Sequence, residues 1–518
     1  MILLLLIASF ILWIAISFYL LIYHSRLTHD PQEPLVIPPK VPLIGHVIGL
    51  LRDGTRYYSR IATECNLPIF TLEIGWSKTY VVTSPSLAAA CDRRSKVVSF
   101  TPCALDFAKR ILLSSEGTMH LLSQDLREER GPVGLRVENM MAMHQSLMPG
   151  ERLDDASQTV LKHISQLIEA TVGNGNEHCI SLFQWIREVI SIASTDAIYG
   201  PDQNPMHNTE VMEGFWAIDR DFALLGLMVL PSLIAMKASR GRQRFFTAFR
   251  HYYATGGPDK ASQMIKARYE VNRKYKVCDE DIARFDLGVC TALLVNTVPA
   301  VFWAMLRIFS HQSLLNELRE GISAVVTAAN TPHTSSKTAT TTVRISEVIK
   351  ALPLLESAIV EVLRLQSNNS STRVLLADVL IKDSSGDVYL LKKDSRLTVP
   401  SALLHNNESA WGPTAGVFDP RRFVNHHQGH HQRIHTAANR TFGGGNALCP
   451  GRHFAINEIL GFLIIMILGY DVKVLDGIWE VPKTKHHIST SILTPIKDVW
   501  VRIKPRTETK DTRWSFVW

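Results

Sequence analysis

Residues 441–460 read TFGGGNALCPGRHFAINEIL. Glycines crowd the first half of this stretch, an apolar helical pattern fills the second, and Cys449 stands at the junction. Pro450 suits the first turn of the helix expected there, because its missing N–H would have no intrahelical partner anyway. A cysteine at that point faces the positive end of a helix dipole. That field, with backbone N–H groups freed by the turn at Gly443, Gly444 and Gly445, favours thiolate over thiol. Small residues also let the backbone pass close to a flat cofactor. One soft anionic ligand with no second cysteine nearby suits thiolate-ligated haem, since iron–sulfur and structural zinc sites need several protein ligands. The plainer alternative is a packed, inert cysteine at a glycine-rich turn.

Composition leaves room for such a site. A chain of 518 residues, 46% of them hydrophobic, can bury a large core, and nothing in its glycine, proline or charge content marks a disordered or fibrous protein. The net charge of +7 is modest for this length and spread along it, which argues against nucleic-acid binding. Seven scattered cysteines, odd in number and never in a CxxC pair, suggest neither a disulfide framework nor a zinc ribbon. His426, His427, His430, His431 and His435 read as a solvated loop, with a metal tract as the alternative.

Residues 2–23 carry no charge and are long enough to cross a bilayer, with Trp13, Tyr19 and Tyr23 as interface aromatics. The segment lacks the basic start and small-residue cleavage site of a signal peptide, so it reads as an anchor. His24, Arg26 and Lys40 then place the downstream chain in the cytosol. A proline-rich stretch (Pro31, Pro34, Pro38, Pro39, Pro42) forms a stiff, extended connector, and the body starts near His46. Helix, two short strands (69–74 and 78–82) and helix follow. Residues 100–148 are poorly patterned and read as loops, whereas 181–199 is a helix stopped by Gly200 and Pro201. Residues 222–236 are apolar, broken by Pro231 and followed by basic residues interleaved with Phe245, Phe246 and Phe249. They fit either a membrane interface or a buried helix.

The uncharged run 287–306 is long enough to span a membrane, but Asn296, Thr297 and Pro299 at its middle argue for a kinked core helix. Pro299 removes one hydrogen bond and pushes away the carbonyl of Val295, so the helix should open between 295 and 299. Residues 327–342 read as an exposed loop. In the helix 352–365, Glu361 and Arg364 lie three apart on one face; inside an apolar segment they must be paired and hydrogen-bonded. Residues 454–468 are apolar all round, as in a buried helix, and 479–503 alternate as short strands.

In type and spacing, Phe442, Gly445, Cys449 and Gly451 resemble the haem-binding loop of the cytochrome P450 superfamily. The run on to Glu458 looks most like the branch containing cholesterol 7-alpha-hydroxylase and prostacyclin synthase, in the style of fungal biosynthetic members. Anchor, hinge, central helix, Glu-x-x-Arg helix, FDPRRF stretch and cysteine loop follow in the family's order. The resemblance implies a mainly α chain with a smaller β-rich part, the cytochrome P450 fold, preceded by one N-terminal transmembrane helix. Its parts would be anchor 1–23, hinge 24–45, catalytic domain 46–505 and tail 506–518.

The resemblance also implies haem b with Cys449 as axial ligand, Thr297 with Asn296 in proton delivery, and a buried structural triad of Glu361, Arg364 and Arg422. Where many members carry Arg or His to hold a haem propionate, this chain has Ala447; Arg373 is the replacement, with a free surface arginine as the alternative. Asn296 stands where an acid is usual, Leu293 and Leu294 where small residues are usual, and Arg421 where Glu is frequent. A Trp and an Arg that touch haem in many relatives have no match in 100–148.

The activity implied is that of a single-pass endoplasmic-reticulum monooxygenase facing the cytosol. It would oxidise a lipophilic terpenoid, meroterpenoid or steroid of secondary metabolism with O2 and electrons from NADPH. NADPH-cytochrome P450 reductase would be the electron donor and cytochrome b5 a second one. Two further readings stay open: a haem-thiolate isomerase or dehydratase that needs no reductase, and an anchored binding or zinc protein.

Overall fold

The computed structural model describes residues 30–518 apart from 42–43, 76, 125, 128, 130, 132, 174, 330–339, 428–434, 486–489 and 508–512. The proposed anchor 2–23 and most of the histidine tract lie outside the described residues. Helices dominate. Those that bear on the site are α1 (Pro85–Asp92), α2 (Thr101–Arg110), α3 (Asp279–Leu294), α4 (Thr297–Phe309), α5 (Pro353–Gln366) and α6 (Arg452–Gly469).

Local chemistry sets their ends. Asp279, Glu280 and Asp281 fill the first turn of α3, where carboxylates complement the helix dipole, and Pro353 occupies the first turn of α5. The centre of the molecule is apolar on every side. α4 and α6 bury nearly all their residues, from Trp303 to Phe462, in one large core shared with the helix Leu182–Tyr199. Both α3 with α4 and α6 are long and apolar enough to cross a membrane, yet here they are core.

The β-rich part is smaller. Five strands pair in the order Ile69–Ile74, Ser77–Val82, Arg396–Pro400, Ser370–Leu375, Val98–Ser99, and Arg373 pairs with Leu397 in register. A second sheet orders Tyr470–Val474, Trp500–Pro505 and His178–Ser181.

Several expectations change. Residues 100–148 hold α2 and the helices Glu116–Leu122 and Leu135–Leu147, so this region is mainly helical. The described part of the hinge is docked: Val36 bridges Thr71, and buried Glu33 accepts from Lys78 Nζ at 2.8 Å and Tyr80 Oη at 2.8 Å. Residues 327–329 continue the helix Gln312–Ala329, and Thr340–Arg344 is a strand. It pairs in parallel with Arg513–Val517, so the tail is part of the body. Trp518 completes this attachment, donating from Nε1 to Asp154 Oδ1 at 2.8 Å. Phe245 and Phe249 stack at 4.3 Å inside the core and take no part in a surface aromatic patch.

Candidate active site

The cysteine loop is closed before its helix begins. Cys449 N–H donates to Phe442 O at 2.9 Å, with Gly443 (φ +83°) and Gly445 (φ +61°) in the left-handed region that glycine enters without steric cost. Gly451 is the residue before α6, and the first helical bond runs from Ala455 N–H to Gly451 O. Pro450 therefore lies outside the helix, one residue ahead of Gly451, because the loop's closure at Cys449 delays helical pairing.

The expectation that thiolate is favoured here does not hold: the Gly451 N–H and the Arg452 charge, in place of the N–H groups at Gly443, Gly444 and Gly445, draw the Cys449 thiol toward ionisation. Burial outweighs them and pushes its pKa up. An isolated thiolate is therefore disfavoured at this position, and a metal cation would have to stabilise it.

Across the core, α3 ends at Leu294 and α4 starts at Thr297, so the helix breaks at Val295 and Asn296, inside the interval that Pro299 disrupts. Thr297 is buried and its Oγ1 donates to Leu293 O at 2.7 Å. Asn296 Oδ1 is engaged, accepting from Ser491 N at 2.7 Å and Ile492 N at 3.2 Å. The neighbouring stripe Gly288, Ala292, Asn296, spaced one helical turn apart, is the less buried side of the helix, and Ala292 is exposed. Phe107 of α2 lies near Gly288, and its ring stacks on Phe222 at 6.0 Å.

Glu361, Arg364 and Arg422 are brought together and buried. Glu361 accepts from Arg364 Nε at 2.7 Å and Nη2 at 2.8 Å, and from Arg422 Nε at 2.9 Å. Arg422 also donates to the carbonyls of Trp411 and Thr414, and the Arg364 guanidinium lies 4.7 Å over the Trp411 ring. Every charge in the group thus has hydrogen-bonded partners, which burial requires. Arg421 instead pairs with Glu317 at the surface.

Arg373 is buried, so the surface-arginine alternative fails. Its guanidinium donates to the carbonyls of Thr372 at 3.2 Å and Gly444 at 3.3 Å and lies over the Phe100 ring. Burial lowers its pKa, and Asp92 partly offsets that. Among the described residues it makes no ion pair.

The structure adds three residues that the sequence reading did not single out. Arg440 Nη1 and Nη2 donate to Asp92 at 2.7 and 3.2 Å. Arg440 N–H donates to His405 Nε2 at 2.8 Å, and His405 Nδ1–H in turn donates to Arg364 O at 2.8 Å. Burial holds His405 neutral, with its pKa lowered to about 3. The one sequence signal for Arg440 was a charged residue three positions before the glycine run.

These residues fit a planar, apolar cofactor bearing acidic groups. Cys449 is a free thiol at a half-open loop, and Leu448 beside it and Ala292 on α3 present uncovered apolar surface. Arg373 is a buried cation awaiting an anion. Among the described residues, no cluster of three or more His, Cys, Asp or Glu side chains could hold a metal ion alone, which leaves no structural zinc centre there.

Known proteins resemble this chain in sequence. The family model described as Cytochrome P450 matches residues 245–500. The chain is 32% identical to the cytochrome P450 monooxygenase nodJ of Hypoxylon pulicicidum over 97% of this chain and 96% of the relative. It is 27% identical to a cytochrome P450 monooxygenase of Gibberella zeae, covering 95% and 92%. With the 25-hydroxycholesterol 7-alpha-hydroxylase of Rattus norvegicus it shares 26% identity, covering 64% and 80%. Likeness over nearly the whole chain, on a mainly helical fold with a half-exposed cysteine loop, places the chain in the cytochrome P450 family, as a haem-thiolate oxidoreductase of the monooxygenase class.

Proposed function

We propose that the chain is a membrane-bound monooxygenase of a lipophilic substrate, a terpenoid, meroterpenoid or steroid, with Cys449 as the axial ligand of haem b. Haem held there supplies reductive activation of O2, with one oxygen atom entering a substrate C–H bond and the other leaving as water. Phe442, Gly445 and Gly451 shape the loop around the thiolate, and Arg373 binds a propionate. Thr297, already hydrogen-bonded at the helix break, holds a proton donor in place on the open side of α3. Asn296 contributes to that step through its Nδ2 group, since its Oδ1 is occupied. Glu361, Arg364 and Arg422 keep the loop's surroundings rigid.

The observation that carries this reading is the half-buried, free thiol of Cys449, engaged by the Gly451 N–H, combined with the open stripe at the break between α3 and α4. The lipophilic substrate class rests on apolar surface. Leu230, between the short helices Phe222–Leu227 and Pro231–Ile234, and Leu233, in the second of them, are 62% and 67% exposed beside exposed Lys237, Arg240 and Arg244. Such a surface suits a membrane interface, and the Phe107–Phe222 stack joins it to α3. Residues 2–23 would anchor the chain in the endoplasmic reticulum, with 24–45 as connector, 46–505 as the catalytic part facing the cytosol, and 506–518 strapped onto it.

Electrons would come from NADPH-cytochrome P450 reductase, with cytochrome b5 as a second donor, docking near Arg452 and His453. The engaged Asn296 Oδ1 is the observation that favours the second reading, a reductase-independent isomerase or dehydratase. Incubation with a lipid extract decides between them: NADPH- and reductase-dependent oxidised products support the proposal, and product formation without either supports the isomerase. Reductase-supported turnover should fall as salt rises; insensitivity to ionic strength would remove the charged docking face.

A further inference from the structure

Arg440 is held at both ends. Its backbone N–H is bonded to His405, and its carbonyl accepts from Gly443 N–H at 3.0 Å and Asn369 Nδ2 at 3.3 Å. Its side chain makes a two-pronged pair with Asp92, the last residue of α1. The guanidinium fills the space beside Gly444 so closely that a Cβ there would meet it at 2.6 Å, and a Cβ on Gly445 would meet Asp92 at 3.0 Å. The loop's glycines are thus shaped around this pair. His405 meanwhile ties Arg440 to Arg364 O, so the Glu361 group and the cysteine loop share one hydrogen-bonded line.

Charge completes the picture. Arg440 and Arg373 approach Gly444 together, and Asp92 is the carboxylate ion-paired within that cluster. Asp92 is engaged by Arg440, which leaves Arg373 with two backbone carbonyls and the Phe100 ring.

We propose that Arg440, braced by Asp92 and His405, is the residue that positions the Cys449 loop, and that its pairing with Asp92 reserves Arg373 for an acidic group of the cofactor. The inference rests on the haem-thiolate reading. It assigns a mechanical role to one arginine and an anion-binding role to the other, which compensates for Ala447.

The test uses the full-length chain in membranes and three variants: Asp92→Asn, Arg440→Lys and Arg373→Gln. Haem titration and the reduced, carbon-monoxide-bound spectrum are read for each. Outer-sphere partners of a metal ligand typically govern affinity by ~10–100-fold, so Asp92→Asn should weaken haem binding by about that factor. It should also move part of the Soret band from the thiolate to the thiol position. Arg440→Lys should behave likewise. Arg373→Gln should weaken haem binding and leave the band position unchanged. Wild-type affinity and an intact thiolate band in Asp92→Asn, with at most a lower melting temperature, would overturn the proposal. Asp92→Asn is nearly isosteric and partly exposed, so it decides the matter even where Arg440→Lys does not fold. A wild-type chain without a thiolate band would instead bring down the functional reading itself.

Discussion

Glu361 pairs with two arginines in a buried site, and this sets the energetic weight of a single residue. Removing one partner of a buried ion pair typically costs 3–5 kcal/mol, because the other charge stays buried. Glu361→Gln should therefore lower stability by about 3–5 kcal/mol in urea unfolding of the holoprotein; a loss under ~1 kcal/mol would show that water reaches the group. Two other buried residues give the molecule a pH dependence of opposite sign. Glu458, bonded to Ser194 Oγ, has its pKa raised by burial to about 8. An unfolded glutamate ionises near 4.5, so the stability contributed by its neutral form is complete below that pH and is lost as pH rises toward 8. His405 is depressed from 6.5 to about 3, so its contribution is present above 6.5 and lost as pH falls toward 3. Glu458→Gln should flatten the alkaline limb of a stability–pH curve by roughly 3 kcal/mol near pH 7 and leave the acid limb alone. An unchanged alkaline limb would mean that Glu458 is already ionised in the fold.

Elements with a strong period were legible, and those held by distant contacts were not. The paired strands near residue 70, the helix ending at Tyr199, the break before Thr297 and the largely apolar α6 each carry their own local signal. By contrast, α2 and the helix Leu135–Leu147 alternate polar and apolar residues weakly, and they pack on distant segments, α2 on the strand Ser370–Leu375 and Leu135–Leu147 on the helix Gln263–Lys274. The strand Arg513–Val517 needs a parallel partner some 170 positions away, which no local pattern announces. At the site, Cys449, Thr297 and the Glu361 group stood out through motif spacing, whereas Asp92, His405 and Arg440 converge from three separate segments. The exposed pair Phe222–Leu227 and Pro231–Ile234 was ambiguous in sequence and is uncovered in the fold. A Leu230→Asp, Leu233→Asp double variant, purified without residues 1–29, should bind anionic lipid vesicles several-fold more weakly than the same truncation with both leucines. Equal binding would assign these leucines another purpose.

The whole molecule is a large apolar helical core with smaller sheets, and the proposed functional groups come from different parts of it. Arg373 comes from the sheet, Thr297 from the central helix, Arg440 from the loop's approach, and Cys449 from the turn before α6. Their chemistry converges only if the thiol of Cys449 ligates iron, since burial alone holds it above its ordinary pKa. The most direct measurement is a difference spectrum of membranes containing the full chain, reduced with dithionite and exposed to carbon monoxide, beside a Cys449→Ser control. The account predicts the red-shifted Soret band of thiolate-ligated haem in the wild type and its loss in the control. Well-folded wild-type protein without that band, or a Cys449→Ser variant that keeps it, would contradict the assignment of Cys449 as the axial ligand.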